Sequence, residues 1–290
     1  MVKLKDLIPW ERFTDQLVEY YRGAARVGRA PYEPAVILRM LLVAYLYDVS
    51  ERQVEEMVTT HLPMKYFVGL AVNERAPDHS TLTAFKRRVQ DNGHLAAFEE
   101  MLAQIVVMAG ELGIEFGQIQ VLDSVHTVAD VNTQKDESRR KKEGKGPRDG
   151  SARWGVKHTR RVKTSQGQVV EQREYFYGYK AHVSLNSESE LITSVGVTPG
   201  QCYDGHELAG LVEKDLAQGL PVGIVAGDRG YDDSDNHVLL ESLGIQSAIR
   251  VRRNRTEKKD PNKDVWVRLM ASEGYQAGLS QRYKVERKFG

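Results

Sequence analysis

The hydrophobic period of this 290-residue chain changes once, near residue 118, which confines it to a helical part followed by a part built on a sheet. Before the change, apolar residues recur at helical spacing. Pro34 stands at an expected first turn, and Ile37, Leu38, Leu41, Leu42 and Tyr45 follow on one stripe. Ser50 and Gln53 form a capping-box pair ahead of Val54 and Met57. Asp78-His79-Ser80-Thr81 offers caps ahead of Leu82, Phe85 and Val89, a helix that turns Lys86, Arg87 and Arg88 outward. A long apolar helix is expected from about His94 to Leu112, ended by Gly113. The pattern predicts an all-helical domain over 1–115. Its helix-turn-helix look around 50–90 is shared by packing helices and DNA-reading ones.

Beyond residue 118 the segments are short and β-rich. IQVLDSV (119–125) reads as a strand with an acid inside it, and 169–185 and 190–197 read as paired strands. Between them a stretch of low hydrophobicity, about 133–168, reads as an insertion. His206 to Gln218 reads as a helix, GIVAGD (223–228) as a strand, Ser234 to Leu243 as a helix and 245–251 as a further strand. Antiparallel strands followed by strand–helix alternation predict a mixed-sheet α/β domain over 116–290 with at least one parallel crossover.

Several classes are excluded. The longest nearly apolar run, Ala35 to Tyr47, is interrupted by Arg39 and falls short of the ~20 residues a spanning helix needs. Pro9 and the acids around it stand where a signal peptide needs an apolar stretch. The single cysteine, Cys202, rules out an internal disulfide. A cytoplasmic protein is expected. The formal charge of +1 hides a segregation. Residues 135–163 carry 12 Lys/Arg against 4 Asp/Glu, and 250–290 carry 12 against 5, on an otherwise acidic chain. Two such tracts point to a polyanion, with solvated surface as the plainer reading of each.

Two aspartates sit where α/β sheets present functional groups. Asp123 lies in or at the end of the first strand, and Asp228 closes GIVAGD ahead of Arg229-Gly230-Tyr231. An unpaired acid is costly there, and oxygen donors suit Mg²⁺ or Mn²⁺ better than zinc. A turn-starting or helix-capping role remains open for each.

The motifs VLDSVHT (121–127), GYKAH (178–182), TPG…D (198–204), AGDRGY (226–231) and R-x3-E in RYKVERKFG (282–290) occur in that order, after APDHSTLTAFKRR (76–88). Together they resemble insertion-sequence DDE transposases of the IS-five group and its relatives over nearly the whole chain. The resemblance implies an RNase H-like fold with Asp123 on the first strand, Asp228 after the fourth and Glu286 on a late helix. It makes these three the catalytic carboxylates, holding two Mg²⁺ (or Mn²⁺) ions about 3.5–4 Å apart. It implies cleavage of transposon-end DNA and joining of the 3′-hydroxyl to target DNA. The partners would be double-stranded terminal inverted repeats and target DNA, the assembly a homodimer, with no membrane.

Arg282 matches the arginine of the family signature and is expected on DNA phosphate, an i,i+4 ion pair with Glu286 being the alternative. Arg229, Lys86, Arg87, Arg88, Arg139, Arg140, Lys141 and Lys142 are further DNA-contact candidates, and Trp154 is a candidate to stack on an unpaired base. His182 and Asp204 are candidates for support around the site. The chain departs from the family pattern in three places: Leu279 replaces Tyr, Gln201-Cys202-Tyr203-Asp204 replaces Asn-x-His-Asp, and the Lys expected seven positions beyond Glu286 is absent. The last departure implies a truncated chain whose incomplete C-terminal helix frays and holds Glu286 loosely. A catalytically inactive DNA-binding remnant and another RNase H-like metal-dependent nuclease are the alternative functions.

Overall fold

The computed structural model describes residues 2–21, 32–91, 96–163, 169–257 and 260–289. The chain divides into two compact units, Met1–Gln104 and Ile105–Gly290.

The first unit is helical: α1 (Val2–Leu7), α2 (Trp10–Tyr21), α3 (Pro34–Tyr47), α4 (Glu51–Thr60), α5 (Leu62–Val68) and α6 (His79–Asp91), with α7 (Ala96–Glu111) crossing the division. Local chemistry sets these bounds. Pro34 occupies the first turn of α3, and Ser50 and Gln53 complete the reciprocal capping box of α4. The Asp78 carboxylate accepts the Ser80 N–H at 2.7 Å at the start of α6. Ile37, Met40, Val54, Phe67, Leu82 and Phe85 make the core, with Trp10 edge-on to Phe67. The helix expected from His94 begins, as described, at Ala96; residues 92–95 lie outside the described residues.

The second unit is a mixed sheet flanked by helices. In chain order it comprises β1 (Ile119–Val128), α8 (Thr133–Glu143), β2 (Arg153–Lys163), β3 (Val169–Asn186) and β4 (Ile192–Pro199). These are followed by α9 (Leu208–Ala217), β5 (Ile224–Gly227), α10 (Ser234–Ser242), β6 (Gln246–Ile249), α11 (Lys263–Ala271), α12 (Glu273–Ser280) and α13 (Tyr283–Phe289). The five-strand core runs β4-β3-β1-β5-β6, antiparallel up to β1 and parallel from β1 to β6, which is the RNase H-like arrangement.

Strand alternation sends neighbouring residues to opposite cores. Val121, Val183, Ala226 and Ala248 pack with Tyr275 and Val285 of α12 and α13. Leu122, Val225 and Ile249 pack with Leu208, Leu211 and Leu240 of α9 and α10 on the other face. Gly278 lets α12 lie flat on the sheet, because a Cβ there would meet Ala248 and Ile224.

Two expectations are corrected. The low-hydrophobicity insertion contains α8 and β2, two elements that the sequence reading did not assign. Strand β2 forms by main-chain pairing with the first half of the 18-residue β3, whose second half serves β4. Polar helix α8 is bounded by Asn132, whose side chain accepts the Lys135 N–H, and by Gly144 at φ 65°. Strand β2 lies outside the five-strand core, so Asp228 follows the fourth core strand, β5, which is the fifth strand of the chain. The C-terminal helix expected to fray is packed: Val285 is fully buried and Phe289 lies against the same core.

Candidate active site

Asp123 follows Val121 by two residues on β1, so it stands on the sheet face that packs against α12 and α13. Asp228 follows Ala226, of that same core, by two residues and leaves the C-terminal end of β5 beside it. The seven-residue α13 carries Glu286.

Electrostatics ties the three together. Burial pushes the Asp123 carboxyl up to about 6, and the charges of Asp228 and Glu286 push the same way. The Ser124 N–H, bonded to Asp123 Oδ1 at 2.8 Å, and the Arg282 guanidinium oppose the rise. Glu286 is 56% exposed and pairs with Arg282 at 3.2 Å, the i,i+4 contact anticipated as the alternative for this arginine. Arg282 thus acts on both Asp123 and Glu286. The three carboxylates do not close into one tight cluster. Among the described residues, the group of three with all ligand atoms within 4.8 Å of one another is Glu55, Asp78 and His79, in the helical unit. There the acids serve structure: Glu55 accepts both the main-chain N–H and Nδ1 of His79, Asp78 caps α6, and Arg52 lies 3.3 Å from the other ring nitrogen.

The loop carrying Asp228 is held from beneath. Its Oδ1 accepts the Gly230 N–H at 2.7 Å. A Cβ on Gly230 would lie 2.8 Å from that oxygen and 3.2 Å from Asp204 Oδ2, so any side chain there would press on both acids. Lys180 of β3 donates to Asp204 Oδ1 and to the Cys202 carbonyl, both at 2.8 Å. Buried His182 bonds Thr198 through Nε2 and turns Nδ1 toward Asp204 at 3.9 Å. Sequence reasoning missed two members of this scaffold. The Tyr231 phenol is fully buried, and burial together with Asp204, Asp123, Asp228 and Glu207 raises its pKa well above the usual range. Asp232, also fully buried, accepts from the Arg252 N–H at 2.6 Å and pairs with His237 and Arg255, each at 3.0 Å. Tyr231 closes the AGDRGY motif and Asp232 directly follows it, and that position was the available signal.

The DNA-contact candidates separate. Arg229 is exposed beside Asp228. Arg87 and Arg88 are exposed on α6, and Lys86 of the same helix is paired with Glu51. Arg139 is engaged by Asp136 and the Gly146 carbonyl, both at 2.9 Å, and Lys141 pairs with Glu137 at 2.8 Å. Arg140 and Lys142 are exposed. Arg140, Lys141, Lys145, Trp154 and Tyr177 line a cleft of about 880 Å³ between α8 and the β2–β3 ribbon. Trp154 is 55% exposed there, its ring 5.4 Å from that of Tyr177. Across the β-ladder Trp154 opposes Tyr177, on the same face as Asp123 and six residues along β3 from its partner Val183, or about 20 Å.

The chain matches two protein families, one described as Transposase DDE domain over residues 125–290 and one described as Transposase domain (DUF772) over residues 1–88. Asp228 and Glu286 fall inside the first match, and Asp123 lies two residues before it. Among solved structures, the cryo-EM piggyBac transposase synaptic complex with hairpin DNA aligns at 12% identity with a TM-score of 0.34. The alignment covers 90% of this chain and 50% of that one, so this chain spans half the length of its counterpart.

Proposed function

We propose, from the premise that the chain belongs to the DDE transposase family, that it cuts transposon-end DNA and joins the freed 3′-hydroxyl to target DNA. The observation that carries this reading is the placement of Asp123 and Asp228 at one face of a parallel strand pair, with Arg282 ion-paired to Glu286 and all three charges acting on a half-buried Asp123. The family uses divalent metal ions. The site's chemistry fits such a group: its donors are carboxylate oxygens, and one is half-buried where its charge is costly, a cost that a cation offsets. Asp123, Asp228 and Glu286 would hold Mg²⁺ or Mn²⁺, which when bound activates the attacking oxygen and neutralises the leaving one.

The rest follows from the chain's own groups. Arg282 holds the phosphate whose bond breaks. Attack by water at the transposon end breaks the P–O3′ bond, leaving a 3′-hydroxyl and a 5′-phosphate. Attack by that hydroxyl on a target phosphate releases a target 3′-hydroxyl, with no covalent protein intermediate. Arg229 and the α6 cations Arg87 and Arg88 contact flanking phosphates, and Trp154 stacks on an unpaired base. The protein acts as a homodimer on paired ends in the cytoplasm, and its kinship with the IS-five group rests on motif resemblance. Among the described residues, no helix is long and apolar enough to cross a membrane.

Purified protein should nick DNA bearing the element's terminal repeats only with Mg²⁺ or Mn²⁺ present. Cleavage that persists in chelator overturns the reading.

The α8 cations provide a second test. Replacing Arg140, Lys141 and Lys142 with Gln should reduce the slope of log affinity against log salt by up to ~0.9 for each phosphate that these side chains neutralise. Trp154→Ala, which removes no charge, should lower affinity for end DNA with unpaired bases and leave that slope unchanged. An unchanged slope in the triple variant would make the tract a solvated surface.

A further inference from the structure

We propose that Glu190, in the β3–β4 turn, is a positioning residue that fixes the helix carrying Glu286; the inference rests on the catalytic reading of that glutamate. Helix α13 is described over Tyr283–Phe289, and its side chains sort into three stripes. Val285 and Phe289, four apart, face the core. Glu286 faces Arg282 and, through charge, Asp123. Lys284, Arg287 and Lys288, at i, i+3 and i+4, all address one hairpin turn.

In that contact Lys284 Nζ donates to the Ser187 carbonyl at 2.6 Å. Arg287 donates to both Glu190 carboxylate oxygens at 3.0 Å, and Lys288 lies 3.8 Å from one of them. The turn is itself firm. Buried Asn186 accepts from the N–H groups of Gly117, Glu188 and Ser189 and donates to the Gly117 carbonyl.

Glu190 has a feature that burial does not explain. Its φ is +55°, a left-handed conformation that glycine or asparagine adopts at far lower cost. A residue kept in that conformation points to a role for its side chain. The carboxylate is 35% exposed, so the ion pair adds little to global stability. Its effect is on register: Val285 and Phe289 fix one stripe of the helix, and the Glu190 clamp on a second stripe sets the rotation that keeps Glu286 toward Asp123.

Glu190→Gly separates the two roles, since it relieves the backbone and removes the clamp. The full chain should then melt at the same temperature or higher. Amide exchange over residues 283–289 should accelerate at least about threefold, and Mn²⁺-dependent end cleavage should fall about tenfold in kcat at unchanged DNA affinity. Arg287→Gln should do the same, and the double variant should be no worse than either single change. Unchanged exchange in α13, additive effects, or faster exchange with full cleavage overturns the proposal. Glu286→Gln, run alongside, separates failures: normal cleavage in that variant removes the catalytic premise, whatever the exchange data give.

Discussion

Asp123→Asn should lower metal-dependent end cleavage by at least about 10³-fold while DNA affinity stays within about twofold. That loss matches the several kcal/mol that charge stabilisation at a metal-centred site supplies. Asn keeps the shape and one oxygen but loses the charge, so sheet packing around Val121 and Leu122 has no reason to change. A second readout makes the test specific. Burial raises the Asp123 pKa from the ordinary 3.8 to about 6, so the folded protein favours the neutral form. The stability associated with that proton is fully present below 3.8 and lost as pH rises through about 6. In chelator at pH 8 the Asn variant should therefore melt no lower than the parent. A variant that loses cleavage, DNA affinity and thermal stability together would mark Asp123 as a structural strand residue.

The sequence disclosed this fold wherever burial and caps write a pattern. Pro34, the Ser50–Gln53 box and the Leu82–Phe85–Val89 stripe set their helices within a residue or two. The runs 119–125 and 223–228 read as strands with Asp123 and Asp228 in or at their ends, and the structure pairs these strands in parallel. The pattern failed where main-chain pairing, not burial, sets structure. Strand β2 offered no apolar alternation to read, because it is a polar ribbon paired along half of β3. Helix α8 is polar all round, with Asp136 its one buried residue, so no stripe announced it.

Motif resemblance singled out Asp123, Asp228 and Glu286, and His182 and Asp204 as support, while the partners that fix Asp204 and the helix of Glu286 were not legible. Lys180 meets Asp204 across 24 residues, and Arg287 meets Glu190 across 97. Contacts at such separations leave no trace in local spacing. The unusual φ of Glu190 is likewise invisible in a sequence where Gly or Asn would signal it.

Gly230→Ala should cost about 10²-fold in cleavage with little change in melting temperature. The Gly230 φ lies outside the left-handed region, so alanine meets no backbone penalty there and the effect comes from space alone. The new methyl would stand 2.8 Å from Asp228 Oδ1 and 3.2 Å from Asp204 Oδ2. Asp204 is tied to Lys180 and has less freedom to yield, whereas Asp228 can rotate and give up its bond to the Gly230 N–H. Side-chain rotation relieves the clash cheaply, which is why folding should barely register it. The same rotation carries an oxygen of the proposed site off its line, and a displacement near 1 Å in such a site is worth about two orders of magnitude in rate. Lys180→Met supplies the contrast, because freeing Asp204 lets it absorb part of the methyl. Gly230→Ala in that background should lose less, relative to Lys180→Met alone, than in the parent. Full cleavage by Gly230→Ala would mean that the position of the Asp228 carboxylate does not set the rate.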